Sequence, residues 1–120
     1  MRFMMLMIPG SGDDGARETP GHRASASLML RYTESLQRAG VLLALDDLHP
    51  PSVGARVSFP GGRVRVLGGD IRGAHEVVGG YWMIQVKSQE EAIAWATRCP
   101  AGEHAIIEVR QVRELSLGPL

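Results

Sequence analysis

The stretch Gly79-Gly80-Tyr81-Trp82-Met83-Ile84-Gln85-Val86-Lys87-Ser88-Gln89-Glu90-Glu91-Ala92-Ile93-Ala94-Trp95-Ala96 limits what this chain can fold into more than any other. Two glycines open a run rich in aromatic and β-branched residues, which predicts a strand over 79–87. Ser88 and Glu91, three positions apart, form a capping box. The serine hydroxyl accepts from a backbone N–H of the first turn while the glutamate reaches back to a preceding one. A helix over 88–98 follows, expected to bury Ala92, Ile93, Trp95 and Ala96 by the three-and-four rule and to end at Pro100 and Gly102.

Residues 2–8 are apolar on both alternating faces, the pattern of a central strand, and Pro9-Gly10 ends it. Glycines and Pro20 make 10–23 read as a loop, expected to be flexible. From about Ala24 to Ala39, Leu28, Met29, Tyr32, Leu36 and Ala39 recur at helical spacing. Gly40 stands where a left-handed cap is wanted, and Val41–Leu45 switches to a strand. Pro50 and Pro51 cannot donate to a continuing ladder. Ala55–Phe59 and Arg63–Leu67 flank Pro60-Gly61-Gly62 and read as a hairpin. The segment 68–78 reads as an irregular loop, and His104–Val112 as a last strand. In that last strand Ala105, Ile107 and Val109 share one face, and His104, Ile106, Glu108 and Arg110 the other.

With 120 residues, one domain is expected. The order strand, helix, strand, hairpin, strand, helix, strand predicts an α+β, ferredoxin-like split βαβ domain with an added hairpin. Both helices then cover one face of an antiparallel sheet. The other face needs a partner, and a homodimer that stacks two such faces would form an α/β barrel with room for a small-molecule ligand.

Thirteen basic residues balance thirteen acidic ones, so the electrostatic footprint of a nucleic-acid binder is missing and no nucleic-acid partner is expected. The apolar run at the start is too short for a secretory core, and no stretch approaches the roughly 20 apolar residues needed to cross a bilayer, so no membrane partner is expected. A single cysteine, Cys99, cannot form an internal disulfide, which fits a reducing cytoplasm.

Two sets of polar residues carry candidate chemistry. Tyr81 and Gln85 from the strand over 79–87, with Glu108 and Arg110 from the last strand, are expected on the open sheet face. There Arg110 could anchor an anion, Glu108 accept a proton and Tyr81 donate one. The competing reading is an Arg–Glu network that only fixes dimer register. Asp46, Asp47, His49, Asp70 and His75 form the second set, at strand ends and loops where a carboxylate can fix the tautomer of a histidine base. Asp47 and His49 are two apart and share a side if the strand continues. His49, Asp70, His75 and Glu108 are thus candidate catalytic residues, and Tyr81, Gln85, Arg110 and Asp47 candidate substrate-binding ones. The four histidines show no zinc-ligand spacing, and no glycine fingerprint for a nucleotide is present, so neither metal nor cofactor is expected.

The segments Met29–Leu42, Leu48-His49-Pro50-Pro51-Ser52, Glu76–Ile84 and Ile107-Glu108-Val109-Arg110 together resemble the YCII-related family, in particular its DGPF branch. The resemblance spans nearly the whole chain and implies a dimeric ferredoxin-like α/β barrel. Where the branch carries Asp-Gly-Pro-Phe this chain has Gly68-Gly69-Asp70-Ile71, which keeps only the glycine. The other branch resembles proteins with a His/Asp pair whose histidine lies in the first helix, and Met29 stands at that position here. The reading that results is a small-molecule enzyme of cofactor-independent acid–base chemistry (isomerisation, elimination or cyclisation), the alternative being a non-catalytic homodimeric ligand-binding or regulatory module.

Overall fold

The computed structural model describes residues 1–10, 20–68 and 77–115. In chain order these form β1 (Arg2–Ile8), α1 (Pro20–Arg38), β2 (Leu42–Asp47), β3 (Ala55–Ser58), β4 (Arg65–Gly68), β5 (Gly80–Gln85), α2 (Gln89–Thr97) and β6 (Ile106–Gln111). The four-stranded antiparallel sheet has the order β2-β5-β1-β6, and β3 pairs with β4 in a separate two-stranded hairpin. Each helix connects two strands that lie one position apart in the sheet, with a third strand between them. The result is a small α+β domain whose order is consistent with a ferredoxin-like split βαβ. β1 is central, as its two-sided apolar pattern requires.

Strand register decides which side chains meet the helices. Met5 lies opposite Trp82 and Phe3 opposite Ile84, with Val109 across from Met5 on the other side. This row packs under Tyr32 and Leu36 of α1 and Ala92 of α2. Phe3, Met5, Leu36 and Ile84 are almost wholly out of water, each contributing roughly 1.5–3 kcal/mol of burial. The Tyr32 ring stands edge-on to Trp82, centroids 5.6 Å apart at 87°. Its hydroxyl donates to the Trp95 carbonyl of α2 at 2.7 Å, which ties the two helices together above the sheet.

The local signals in the chain turn into caps and turns. Ser88 accepts from the Glu91 N–H at 3.1 Å, and Glu91 in turn accepts from the Lys87 N–H at 3.0 Å, one residue earlier than in the standard box. At the end of α1, Gly40 has φ 72°, its N–H bonds the Gln37 carbonyl, and the Val41 N–H bonds that of Leu36. That is a Schellman motif, and Leu36 and Val41 both belong to the core, as the motif favours. Gly61 and Gly62 take positive φ in the hairpin turn.

Several expectations need correction. α1 begins at Pro20, four residues before the expected start, and Pro20 suits a first helical position because its missing N–H would have no partner there anyway. β2 runs on through Asp46 and Asp47, because β5 supplies hydrogen-bonding partners that override their weak strand preference. Leu28, Ala39 and Ile93, expected in the core, are exposed, and the buried stripe narrows to Tyr32 and Leu36 on α1 and Ala92 on α2. The expected 10–23 loop is helical from Pro20 onward, and 11–19 lies outside the described residues.

Cys99 packs against the core, and burial pushes its thiol up to about 11 from an ordinary 9.0. A raised folded-state value favours the folded chain below the unfolded pKa and loses that advantage as pH rises. Unfolding free energy measured by denaturant should therefore fall between pH 9 and 11, and Cys99→Ala should flatten part of that slope. Tyr32→Phe should cost about 1 kcal/mol in the same assay, through loss of the bond to the Trp95 carbonyl.

Candidate functional site

The sheet presents two faces with different chemistry. On the open face, register builds one row across all four strands, Asp46, Tyr81, Leu6 and Glu108, and a second of Ala44, Met83, Met4 and Arg110. The expected face assignment of Tyr81, Gln85, Glu108 and Arg110 therefore agrees with the pairing. They do not, however, form one cluster. Tyr81 and Glu108 stand on either side of β1, two strand spacings or roughly 10 Å apart.

Each half of this row already has a partner. The Tyr81 hydroxyl donates to Asp46 Oδ2 at 2.7 Å, and that bond is the main reason its phenol titrates above the usual range. Tyr81 thus keeps its proton and spends it on Asp46, so it is a poor donor to a ligand. Arg110 Nη1 lies 3.9 Å from Glu108 Oε2, with both side chains well exposed, a loose pair worth at most about 1 kcal/mol. Gln85 is exposed and lies opposite Arg2.

On the helix-covered face, a cleft of about 170 Å³ opens between α1 and the β2–β5 edge. Met7, Met29 and Leu45 supply apolar wall, and Thr33, Asp47 and Trp82 supply the polar groups. Pairing places Leu45 opposite Trp82 and Asp47 opposite Gly80, which turns Leu45 and Asp47 toward the helices. The Trp82 Nε1–H approaches Thr33 Oγ1 at 3.4 Å, so the hydrogen of the threonine hydroxyl is directed elsewhere. Among the described residues Asp47 has neither an ion-pair nor a hydrogen-bond partner. Its carboxylate sits over Gly80, where an added Cβ would come within 2.9 Å of Asp47 Oδ1 and of the Asp46 carbonyl. Gly80 thereby makes room for the acid at the cleft.

His49 lies two residues beyond the end of β2, exposed, so the continuing strand on which a side shared with Asp47 depends is not present there. The ladder carries one more bond past Asp47, from the Leu48 N–H to the Gly79 carbonyl at 2.8 Å, before the chain leaves the sheet. Asp70 and His75, and the altered signature around Asp70, lie outside the described residues. Among the described residues no three His, Cys, Asp or Glu side chains converge as metal ligands, and no helix is long and apolar enough to cross a membrane.

Thr33 and Trp82 were not singled out by sequence as cleft residues. Thr33 sits one position after the buried Tyr32, and only the fold shows that it faces β5. Gly80→Ala should cost about 1–3 kcal/mol in denaturant unfolding, since the strand or the Asp47 side chain must shift to admit the methyl group.

No curated protein matches this chain. The family model of the YCII-related domain matches residues 1–116, so the chain belongs to the YCII-related family.

Proposed function

We propose that this chain binds a small molecule in the cleft between α1 and the β2–β5 edge and moves a proton there with Asp47, without a cofactor. The observation that carries the reading is the Asp47 carboxylate, held over Gly80 and lining, with Thr33, a cleft walled by Met7, Met29 and Leu45. A carboxylate so placed accepts a proton from a carbon or oxygen acid, or binds a ligand amine or hydroxyl, while Thr33 donates to the part of the ligand that gains charge. Isomerisation, elimination and cyclisation all need such a step. Family membership supports small-molecule binding.

The same reading includes a homodimer that covers the open sheet face, a DGPF-like placement within the family based on the segments quoted above, and a cytoplasmic setting. His49 at the root of the hairpin, and Asp70 and His75 beyond it, stand as candidates to complete the site. Glu108, Arg110, Tyr81 and Gln85 belong to the dimer in this reading rather than to the chemistry. The pairing of Tyr81 with Asp46 and of Arg110 with Glu108 favours this division.

The test begins with a small-metabolite screen by thermal shift, with hits mapped by NMR onto the Thr33, Gly80 and Trp82 signals. Exchange of ligand C–H for deuterium in D2O then reports proton transfer. In Asp47→Asn, exchange should drop about 100-fold or more while the ligand still binds. Binding at the cleft with no exchange in the unaltered protein would leave the non-catalytic ligand-binding module and overturn the proton-transfer role.

A further inference from the structure

Size is the first limit on what the cleft beside α1 can hold. Its volume is about 170 Å³. An enclosed apolar cavity of roughly 150 Å³ holds one benzene, whereas sites for drug-sized ligands begin at roughly 300 Å³. The cleft therefore takes one ring, or a chain of similar bulk, against Met7, Met29 and Leu45. Those walls return no hydrogen bonds, so the part of the ligand that faces them is apolar.

Charge is the second limit. Asp47 brings a carboxylate to the lining, and among the described residues none that lines the cleft is basic. On α1 the described arginine nearest to Met29 and Thr33 is Arg31, two positions from each. Two positions are about 200° around a helix, so Arg31 stands on the far side, exposed. Arg38 lies further along, 3.9 Å from Glu34. Asp46, the chain neighbour of Asp47, adds negative charge at the same strand end and holds the Tyr81 hydroxyl on the opposite face. An anion about 4 Å from the Asp47 carboxylate loses about fivefold in affinity even with the full screening of water.

The two polar groups differ in kind. An ionised carboxylate only accepts, whereas the Thr33 hydroxyl, which already accepts from the Trp82 Nε1–H at 3.4 Å, has its hydrogen to give. Resting on the reading of this cleft as a site of proton transfer, we infer that its substrate is an uncharged, ring-sized carbonyl compound, and that Asp47 sets this class by turning anions away. The C–H beside the carbonyl meets the acceptor, and the carbonyl oxygen meets the donor. In the transfer the C–H bond breaks, its proton goes to the carboxylate and its electron pair runs to the carbonyl oxygen, giving an enolate that Thr33 hydrogen-bonds. Return of the proton to a carbon of the same molecule restores Asp47, so no co-reactant is needed. An ammonium ligand would instead tie up the carboxylate oxygens in an ion pair and leave no acceptor for a carbon acid.

Two ligands of one skeleton test the class: cyclohexanone, which is uncharged, and cyclohexanecarboxylate, an anion near neutral pH. Each is titrated into the full chain, with the Gly80 amide and the Trp82 indole N–H read by NMR. In about 20 mM salt the ketone should bind at least about fivefold tighter than the carboxylate, and about 0.5 M salt should narrow that ratio to about twofold or less. Asp47→Asn should narrow it likewise at low salt, while the ketone's own affinity stays within about twofold. A carboxylate that binds as tightly as the ketone at these signals would overturn the charge selection and leave the cleft as a ligand site. A ratio that neither salt nor Asp47→Asn moves would overturn the role of Asp47 in setting the class. If neither ligand moves these signals, the reading of the cleft and the substrate class fall together.

Discussion

Everything in this domain hangs on the alternation of β1 against β5. Phe3 and Met5 point the same way as Ile84 and Trp82, so two neighbouring central strands offer one continuous apolar surface, and α1 and α2 have only that surface on which to lie. A register slip of one residue would turn Tyr81 and Gln85 inward and expose Trp82. The Tyr32 hydroxyl then fixes how the helices share the surface, since its bond to the Trp95 carbonyl spans from α1 to the last turn of α2. A buried tyrosine needs such a partner, and the raised phenol pKa, caused chiefly by burial, shows that the proton remains on it.

Features of the fold encoded over a few residues were legible in the sequence. The capping box at Ser88 and Glu91, the left-handed Gly40 and the Pro60-Gly61-Gly62 turn each state their geometry within four or five positions, and each takes it up. Helical periodicity was less exact. It names a stripe, but the width of the stripe depends on how much sheet lies beneath, and Leu28 and Ile93 fall outside that footprint. The extension of β2 through two aspartates was not legible at all, because its cause is hydrogen bonding to β5, more than thirty residues away.

The candidate site shows the same limit. That Tyr81 and Glu108 share a face follows from counting by twos along each strand. That Tyr81 is paired with Asp46 does not follow, because the partner lies on another strand whose register is set by tertiary packing. The cleft is still less local. It joins Met7 of β1, Met29 and Thr33 of α1, Asp47 of β2 and Trp82 of β5, and no window of sequence contains more than a fraction of it. Asp47 is an expected binding residue, and its sharing a side with His49 depends on a strand that continues. The chain instead turns away after Leu48 and leaves the carboxylate at the cleft without the histidine.

The two faces of the sheet therefore differ in what they can do. Polar groups on the open face spend their hydrogen-bonding capacity on each other or on water, and an apolar central strand keeps Tyr81 and Asp46 apart from Glu108 and Arg110. An incoming ligand there would meet a shallow, exposed surface with strong screening of any charge it carries. On the helix-covered face the exposed Asp47 carboxylate stands at the mouth of a cleft with apolar walls, where a bound molecule loses water on several sides. Proton transfer gains most from the second setting, and association from the first. The same period-two alternation that builds the core thus separates a surface suited to a partner from a cleft suited to a ligand.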